Sequence, residues 1–236
     1  MRIGCLLPLV LLSFAALAPP VLPQGGDSNI NAIESALESR SPLRALRLAR
    51  RALERLTQRV SDDPEGAAQI ARLLALQAVA EAGIDDLDSA RWSWALALHL
   101  DPEVQDLNLL RFGPTGTLVA SWEERPLAVD GEITDERFAE RPGGPATLFS
   151  VDGDSILPDR KSGKDPRYGR GSSPRPVILQ IHLDRRGRPT LPRVVEAPSP
   201  LRAYLATEAV RDWRFQPARI NGNEVAVYIN WRVDFR

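Results

Sequence analysis

The sequence predicts an α+β fold, with antiparallel helical hairpins in its N-terminal half and a small domain of antiparallel strands with one helix at its C-terminus. Apolar residues recur at three- and four-residue spacings from about 28 to 110, the pattern of amphipathic helices. Apolar residues occupy every second position of 177–183 and 225–235, which indicates strands. The Asn221-Gly222 pair before the last alternating run is a strong hairpin signal.

Composition and charge narrow the classes of function. The chain has 236 residues, 43% of them hydrophobic, which is enough for one or two domains with a real core. Its net charge of −1 gives no global attraction to nucleic acid or acidic lipid. We therefore expect no nucleic-acid partner.

Residues 1–24 are expected to be a signal peptide or an N-terminal anchor. Arg2 precedes an uncharged apolar run that ends in small residues, the layout of a secretory leader. In the first case, cleavage near Gln24 would remove the leader from the exported chain. Alternatively 3–22, about long enough to span a bilayer, stays as an anchor in the inner membrane. The only cysteine, Cys5, lies in this leader, so a mature chain would contain no disulfide or thiol site.

Three helices have readable ends between 28 and 110. Ser41-Pro42 supplies an N-cap followed by proline at the first helical position. A second helix ends at Gly83, and Asp85 or Asp86 caps a third. Trp92 and Trp94 are two apart and cannot share a face of this third helix. We expect a core role for them, the alternative being that one of them makes a groove or inter-repeat contact. The predicted buried stripe of the third helix consists of Leu87, Ala90, Trp94 and Leu98.

A repeat is visible within the helical region. "SDDPE" at 61–65 and "HLDPE" at 99–103 each follow a predicted helix, and Ala52 and Ala90 lie at the same offset. Alanine allows close helix approach, and Asp-Pro ends one helix and starts the next. Residues 28–110 therefore resemble tetratricopeptide repeats, over one to two repeat lengths.

Residues 111–175 are predicted to be an irregular region and linker with short strands. "GTLVASWEERPLAV" and "ATLFSVDG" each favour a strand. "PDRKSGKDPRYGRGSSPRP" is rich in Pro, Gly, Ser and charge, which is typical of a solvated tether.

The C-terminal segment, 176–236, predicts a β-β-α-β unit in which one helix covers one face of the sheet. Its helix starts at Ser199-Pro200, and "TLPRVVEA" forms a second strand. One more strand is expected between Trp213 and Ile220. The predicted buried stripe of the helix consists of Leu201, Leu205, Ala209 and Trp213.

The stretch "AVRDWRFQPARINGNEV" is interpreted as a structural joint. Trp213 and Phe215 share a face if the chain enters a strand there, and both rings then close the core. Pro217 bars a central ladder position, and Gly222 belongs to the turn into the last strand. The arginines are expected to point outward or stack on the rings; they are Arg211, Arg214 and Arg219.

These residues are also where a family resemblance becomes specific. The order of elements here resembles the C-terminal domain of the TonB family. It consists of a strand, Asp-x-x-Gly, a Val-rich strand, a helix ending in Ala-Val-x-x-Trp-x-Phe-x-Pro-Ala, a Gly turn and a long final strand. In that family the domain is periplasmic and binds a short peptide of outer-membrane transporters as an added strand. The chain departs from the pattern by lacking a Tyr-Pro segment before the first strand, a histidine in the leader and a long Pro-rich spacer.

No catalytic, cofactor-binding or metal-binding residue is predicted. His99 and His182 have no ligand at metal-binding spacing beside them, and Asp152, Asp154 and Ser155 favour a polar turn over a calcium loop. Motifs for nucleophilic catalysis, phosphate binding or dinucleotide binding are missing from the sequence. We therefore expect no enzyme activity and no cofactor.

The leading hypothesis is a periplasmic binding protein that recognises envelope proteins, such as outer-membrane transporters, by strand addition. The predicted partner-binding residues are on the polar face of the last strand: Tyr228, Asn230 and Arg232. One alternative is a membrane-anchored energy transducer for outer-membrane transport. Another is a tetratricopeptide-like envelope adaptor with no transport role. Contact with the membrane is expected only if the leader is retained.

Overall fold

A computed structural model describes residues 25–58, 64–122, 155–168 and 175–236, and within them the predicted α+β class is confirmed. The predicted leader at 1–24 and the predicted strand "ATLFSVDG" lie outside these residues. The helices are α1 (Gly25–Glu38), α2 (Pro42–Thr57), α3 (Pro64–Ala82), α4 (Leu87–Leu100), α5 (Pro114–Ala120) and α6 (Pro200–Arg211). The strands are β1 (Ser155–Ile156), β2 (Arg160–Ser162), β3 (Val177–Leu183), β4 (Pro189–Glu196), β5 (Arg214–Phe215), β6 (Ala218–Ile220), β7 (Asn223–Val225) and β8 (Val227–Val233).

The first four helices pack in sequence, α1 on α2, α2 on α3 and α3 on α4. The predicted boundaries hold: α2 begins at Pro42, and α3 ends immediately before Gly83. Asp86 caps α4 by accepting a hydrogen bond from the Ser89 amide at 3.2 Å. Ser41 lies at the predicted cap position, but its side chain makes no capping bond. These sequential pairs are compatible with tetratricopeptide-like hairpins, a resemblance that stays a prediction.

Helix α4 is buried on more than one side. Ala90, Trp94 and Leu98 of the predicted stripe are buried, and Leu87 is partly so. Trp92 is buried as well, since α4 packs against both α3 and β4. Both tryptophans are therefore core residues although they point in different directions.

The strand predicted in "GTLVASWEERPLAV" is wrong in its described part, because Pro114–Ala120 forms helix α5. Pro114 occupies the first helical turn, where its missing amide costs no hydrogen bond. The helix folds tightly over the preceding short 3-10 turn, Leu109–Phe112. A Cβ on Gly116 would lie 1.9 Å from the Leu109 carbonyl oxygen, so glycine permits this close approach.

The central sheet of the C-terminal domain has the order β4-β3-β8, all antiparallel. The predicted alternation along β3 is confirmed, with a buried inner face of Val177, Leu179, Ile181 and Leu183 under α6. Strands β6 and β7 form the predicted hairpin. Its turn residues Asn221 and Gly222 have φ values of 51° and 80°, as a type I′ turn requires.

The buried stripe predicted for α6 is only partly correct. Leu201 and Trp213 are buried, whereas Leu205 and Ala209 are half-buried. Because α6 lies between the sheet and the helices α3 and α4, it buries residues on two sides. The additional buried residues of α6 are Arg202, Ala203, Tyr204, Ala206, Thr207 and Val210.

The solvated tether predicted at 158–176 is wrong for its described part up to Tyr168. Strand β2 pairs with β5, and β1, which precedes the tether, pairs with β6. The Trp213 indole Nε1 donates to the Lys164 carbonyl oxygen at 3.0 Å, and Arg160 lies 4.2 Å above the same ring. Polar composition did not prevent packing because the backbone pairs with strands while a large aromatic ring supplies the apolar contact. The domain boundaries themselves stay predictions.

Candidate functional site

The last strand, β8, is the outer strand of the central sheet. It pairs along its whole length with β3, from Val227 opposite Leu183 to Val233 opposite Val177. Within the described residues no strand pairs with its other side. The opposite outer strand, β4, is contacted by α4 and α6. The sheet therefore has an edge, β8, whose outward main-chain groups have no sheet partner in the described chain.

The three predicted partner-binding residues lie at alternate positions of β8. Tyr228 and Asn230 are half-buried and Arg232 is exposed. The amide oxygen Oδ1 of Asn230 is enclosed without a hydrogen-bond partner. Arg232 donates from Nε to Asp234 Oδ1 at 3.0 Å, an exposed pair worth less than about 1 kcal/mol. The structure thus groups these side chains along one edge, and their role in binding stays a prediction.

His182 borders this row on the neighbouring strand, facing away from the core as the alternation predicts. Its ring lies 4.8 Å from that of Tyr228, and its Nδ1 is 2.5 Å from Thr190 Oγ1. Burial lowers the pKa of His182, since a charged imidazolium loses solvation there. Burial also raises the pKa of Tyr228. Both shifts favour the neutral forms of His182 and Tyr228, so the charge in this row is that of Arg232.

Three aromatic rings hold β8 from the core side. Trp231 of β8 lies 5.1 Å from Phe215 and 6.4 Å from Trp213, both in edge-to-face geometry. Trp213 and Phe215 are 1% and 3% exposed, so both rings lie in the core. Pro217 lies between β5 and β6, outside either strand. The edge strand is thus anchored through the aromatic residues of the stretch that the sequence singled out.

One arginine of that stretch departs from prediction. Arg211, expected to point outward or stack on a ring, donates from Nη2 to Glu81 Oε1 of α3 at 3.0 Å. Arg219 pairs with Glu224 at the surface as expected, and Arg214 is exposed. Sequence reasoning missed the Arg211 contact because its partner lies 130 residues away.

Glu81 is the centre of a buried polar cluster between the helical region and the C-terminal domain. Its side chain is completely buried and also accepts from Gln77 Nε2 at 3.0 Å and Ser93 Oγ at 2.6 Å. Arg50 approaches at 3.4 Å. The only sequence signal was Gln77 and Glu81 four residues apart on an otherwise apolar helix. Four helices, α2, α3, α4 and α6, therefore contribute to one charge cluster.

A second carboxylate adjoins this cluster. Glu208 Oε1 is enclosed without a hydrogen-bond partner, and Arg211 Nη1 lies 3.8 Å away. Desolvation raises the pKa of Glu208 despite the opposing effect of Arg211. The contact between the C-terminal domain and the helical region thus contains the Arg211–Glu81 ion pair and, beside it, the Glu208 carboxyl group, whose neutral form is favoured by burial.

The described residues contain no group of three or more His, Cys, Asp or Glu side chains placed to hold a metal ion. Within the same residues no helix is both long and apolar enough to cross a membrane. The absence of enzyme activity stays a prediction.

Comparison with known proteins identifies one domain. The family model described as the Gram-negative bacterial TonB protein C-terminal matches residues 176–236, about a quarter of the chain. A search of curated proteins and a search of solved structures each find no match. Residues 176–236 are therefore similar to the C-terminal domain of the TonB protein of Gram-negative bacteria.

Proposed function

We propose that this chain is a periplasmic, non-enzymatic binding protein that takes an extended segment of an envelope protein, such as an outer-membrane transporter, as an added strand on β8. The observation that carries the proposal is the position of β8 as an outer strand of the central sheet, paired on one side with β3 and with no strand on its other side among the described residues. The match of 176–236 to the TonB C-terminal domain supports it independently.

Strand addition separates affinity from specificity. The outward N–H and C=O groups of β8 would bond to any extended backbone, which supplies affinity without reading sequence. Side chains at alternate positions would then contact the partner's side chains; these are Tyr228, Asn230 and Arg232.

Two adjacent proline variants test the edge, Ile229→Pro and Asn230→Pro. Successive residues of a strand direct their N–H groups to opposite edges, so one variant removes a bond to β3 and the other removes a donor from the outer edge. The inward variant is expected to lower the melting temperature. The outward variant should stay folded and lose its partners in a pull-down from envelope extract. Full partner recovery by the variant that stays folded would refute strand addition on β8.

The alternative energy-transducer function requires the leader to be retained as an anchor. N-terminal sequencing of the protein purified from cells separates the two functions. A mature start near Gln24 or Gly25 removes the anchor and rules out the transducer, while leaving the periplasmic binding function intact. The adaptor alternative predicts instead that partner recovery survives both proline variants and depends on the helical region.

A further inference from the structure

Helix α2 carries a strongly basic surface, of which only Arg50 forms an ion pair with another element of the described chain. Its buried side, Ala45, Leu46, Ala49, Ala52 and Leu53, packs against α1 and α3. Its other side carries five arginines and one acidic residue, Glu54, which leaves a net charge of +4 on one helix. The whole chain has a net charge of −1, so positive charge is concentrated here. We call this surface the arginine face; it consists of Arg44, Arg47, Arg50, Arg51 and Arg55.

Neighbours within the arginine face repel one another. Arg47, Arg51 and Arg55 follow at four-residue spacing, and like charges at this spacing destabilise a helix by about 0.2–0.5 kcal/mol per pair. No carboxylate of the described residues lies within 4 Å of Arg44, Arg47 or Arg51. This repulsion is unbalanced within the described chain, which is what a surface that meets an external anion would show.

The shape of the face indicates which anion it fits. The arginines lie within about 140° of the helix circumference and extend over about 16 Å. Leu43 lies among them and is 62% exposed, which no other large apolar residue of the described chain exceeds. A flat row of guanidinium groups beside a protruding leucine matches a phospholipid surface, where phosphates lie above acyl chains.

The position of α2 supports the same partner. Arg55 Nη2 donates to Asn29 Oδ1 of α1 at 2.9 Å, so the end of α2 lies beside the beginning of α1. The predicted leader immediately precedes α1, so it joins the helical region at the edge of the arginine face. A leader retained as an anchor would hold this face close to the lipid surface.

We propose that the arginine face of α2 docks on an anionic phospholipid surface, with its guanidinium groups on lipid phosphates and Leu43 at the acyl boundary. The contact orients the chain on the membrane and does not depend on strand addition at β8. An acidic protein partner is the competing occupant, and the experiment below distinguishes it.

The test measures binding of the full chain to vesicles of phosphatidylcholine with and without phosphatidylglycerol. We expect tighter binding to the anionic vesicles, weakening as salt is raised because the charges are screened. The triple variant Arg44→Gln, Arg47→Gln, Arg51→Gln should lose on the order of a hundredfold of that preference, given about 1 kcal/mol for each arginine near an anionic surface. Any binding by the leader itself is common to both proteins and cancels in the comparison.

A second triple variant is the matched control. Arg185→Gln, Arg186→Gln and Arg188→Gln remove the same charge from the exposed turn between β3 and β4, and they should leave the lipid preference unchanged. Equal binding to both vesicle types, or equal losses in the two triple variants, would overturn the proposal. Binding of polyglutamate that is lost in the α2 variant, without any lipid preference in the parent chain, would assign the face to an acidic protein instead. Coincident melting curves for the variants and the parent show that the loss is not unfolding.

Discussion

Replacing Glu81 by glutamine tests whether the buried polar cluster holds the C-terminal domain on the helical region. The change keeps the side-chain shape and removes one negative charge from a fully buried site. Arg211, whose side chain is only 19% exposed, then loses its close partner and retains Glu208 at 3.8 Å. Glutamine has one acceptor oxygen, whereas the carboxylate accepts from Gln77, Ser93, Arg50 and Arg211.

The magnitude follows from the burial of the pair. Removing one partner of a buried ion pair costs about 3–5 kcal/mol, because the remaining charge is left without compensation. The lower end applies here, since Arg50 is 57% exposed and can return to water. A loss of about 3 kcal/mol corresponds to a melting temperature lower by about 6–12 °C for a chain of this size.

The measurement is thermal unfolding of the parent chain and of Glu81→Gln, followed by circular dichroism and by calorimetry. Glu54→Gln, on the exposed side of α2, removes the same charge and should change the free energy of unfolding by less than about 0.5 kcal/mol. If Glu81→Gln melts together with Glu54→Gln, the cluster contributes no net stability and the reasoning is refuted.

Glu208 should behave in the opposite way. Its pKa is raised, which means that folding favours the neutral carboxyl group. The stability that this group contributes is therefore present below its unfolded pKa of 4.5 and is lost as the pH rises through the folded pKa. Glu208→Gln should therefore melt at or above the parent at pH 7 and lose this part of the pH dependence; a clear decrease in its melting temperature at pH 7 would contradict the sign. Two glycine variants distinguish backbone strain from steric collision, measured as the loss of unfolding free energy in urea. In Gly222→Ala the new Cβ meets nothing within 4 Å, and the loss should be about 1 kcal/mol because of the positive φ. In Gly163→Ala the Cβ would lie 2.1 Å from Trp213 Cδ1, and the loss should be more than twice as large. Equal costs would show that the 155–168 segment does not pack on Trp213 as described. Asp86→Ala removes the cap of α4 and should cost about 1 kcal/mol in the same assay, with no change expected in binding at β8; an unchanged urea midpoint would mean that this cap is not used.

Local sequence patterns predicted much of the secondary structure of the C-terminal domain. The hairpin at Asn221-Gly222 follows from two residues that adopt positive φ readily, and the alternation in β3 fixes which side chains face the helix. The order of strands was less certain from sequence, because alternation shows that a strand has two faces and does not show which strands lie beside it. The location of β8 at the edge, on which the proposed function depends, came from the tertiary pairing.

The errors share a physical cause. The α6 stripe failed because an isolated amphipathic pattern assumes one covered side, whereas α6 is covered by the sheet and by the helical region. The 158–176 segment reads as a tether by composition, yet Gly163 and Lys164 lie against Trp213, about fifty residues further along the chain. Pro114 marked the start of α5, but the apolar residues after it fit a strand equally well.

The sequence by itself determined the α+β class, the helix ends at Pro42 and Gly83, the hairpin turn and the aromatic joint at Trp213 and Phe215. Each of these depends on residues within a few positions of one another, whose preferences act before any long-range contact forms. Only the tertiary structure decided that Arg211 is paired with Glu81, since nothing in either neighbourhood encodes a partner 130 residues away. The same holds for the docking of α6 on α3, because desolvated charge and shared apolar surface exist only after the two regions have met.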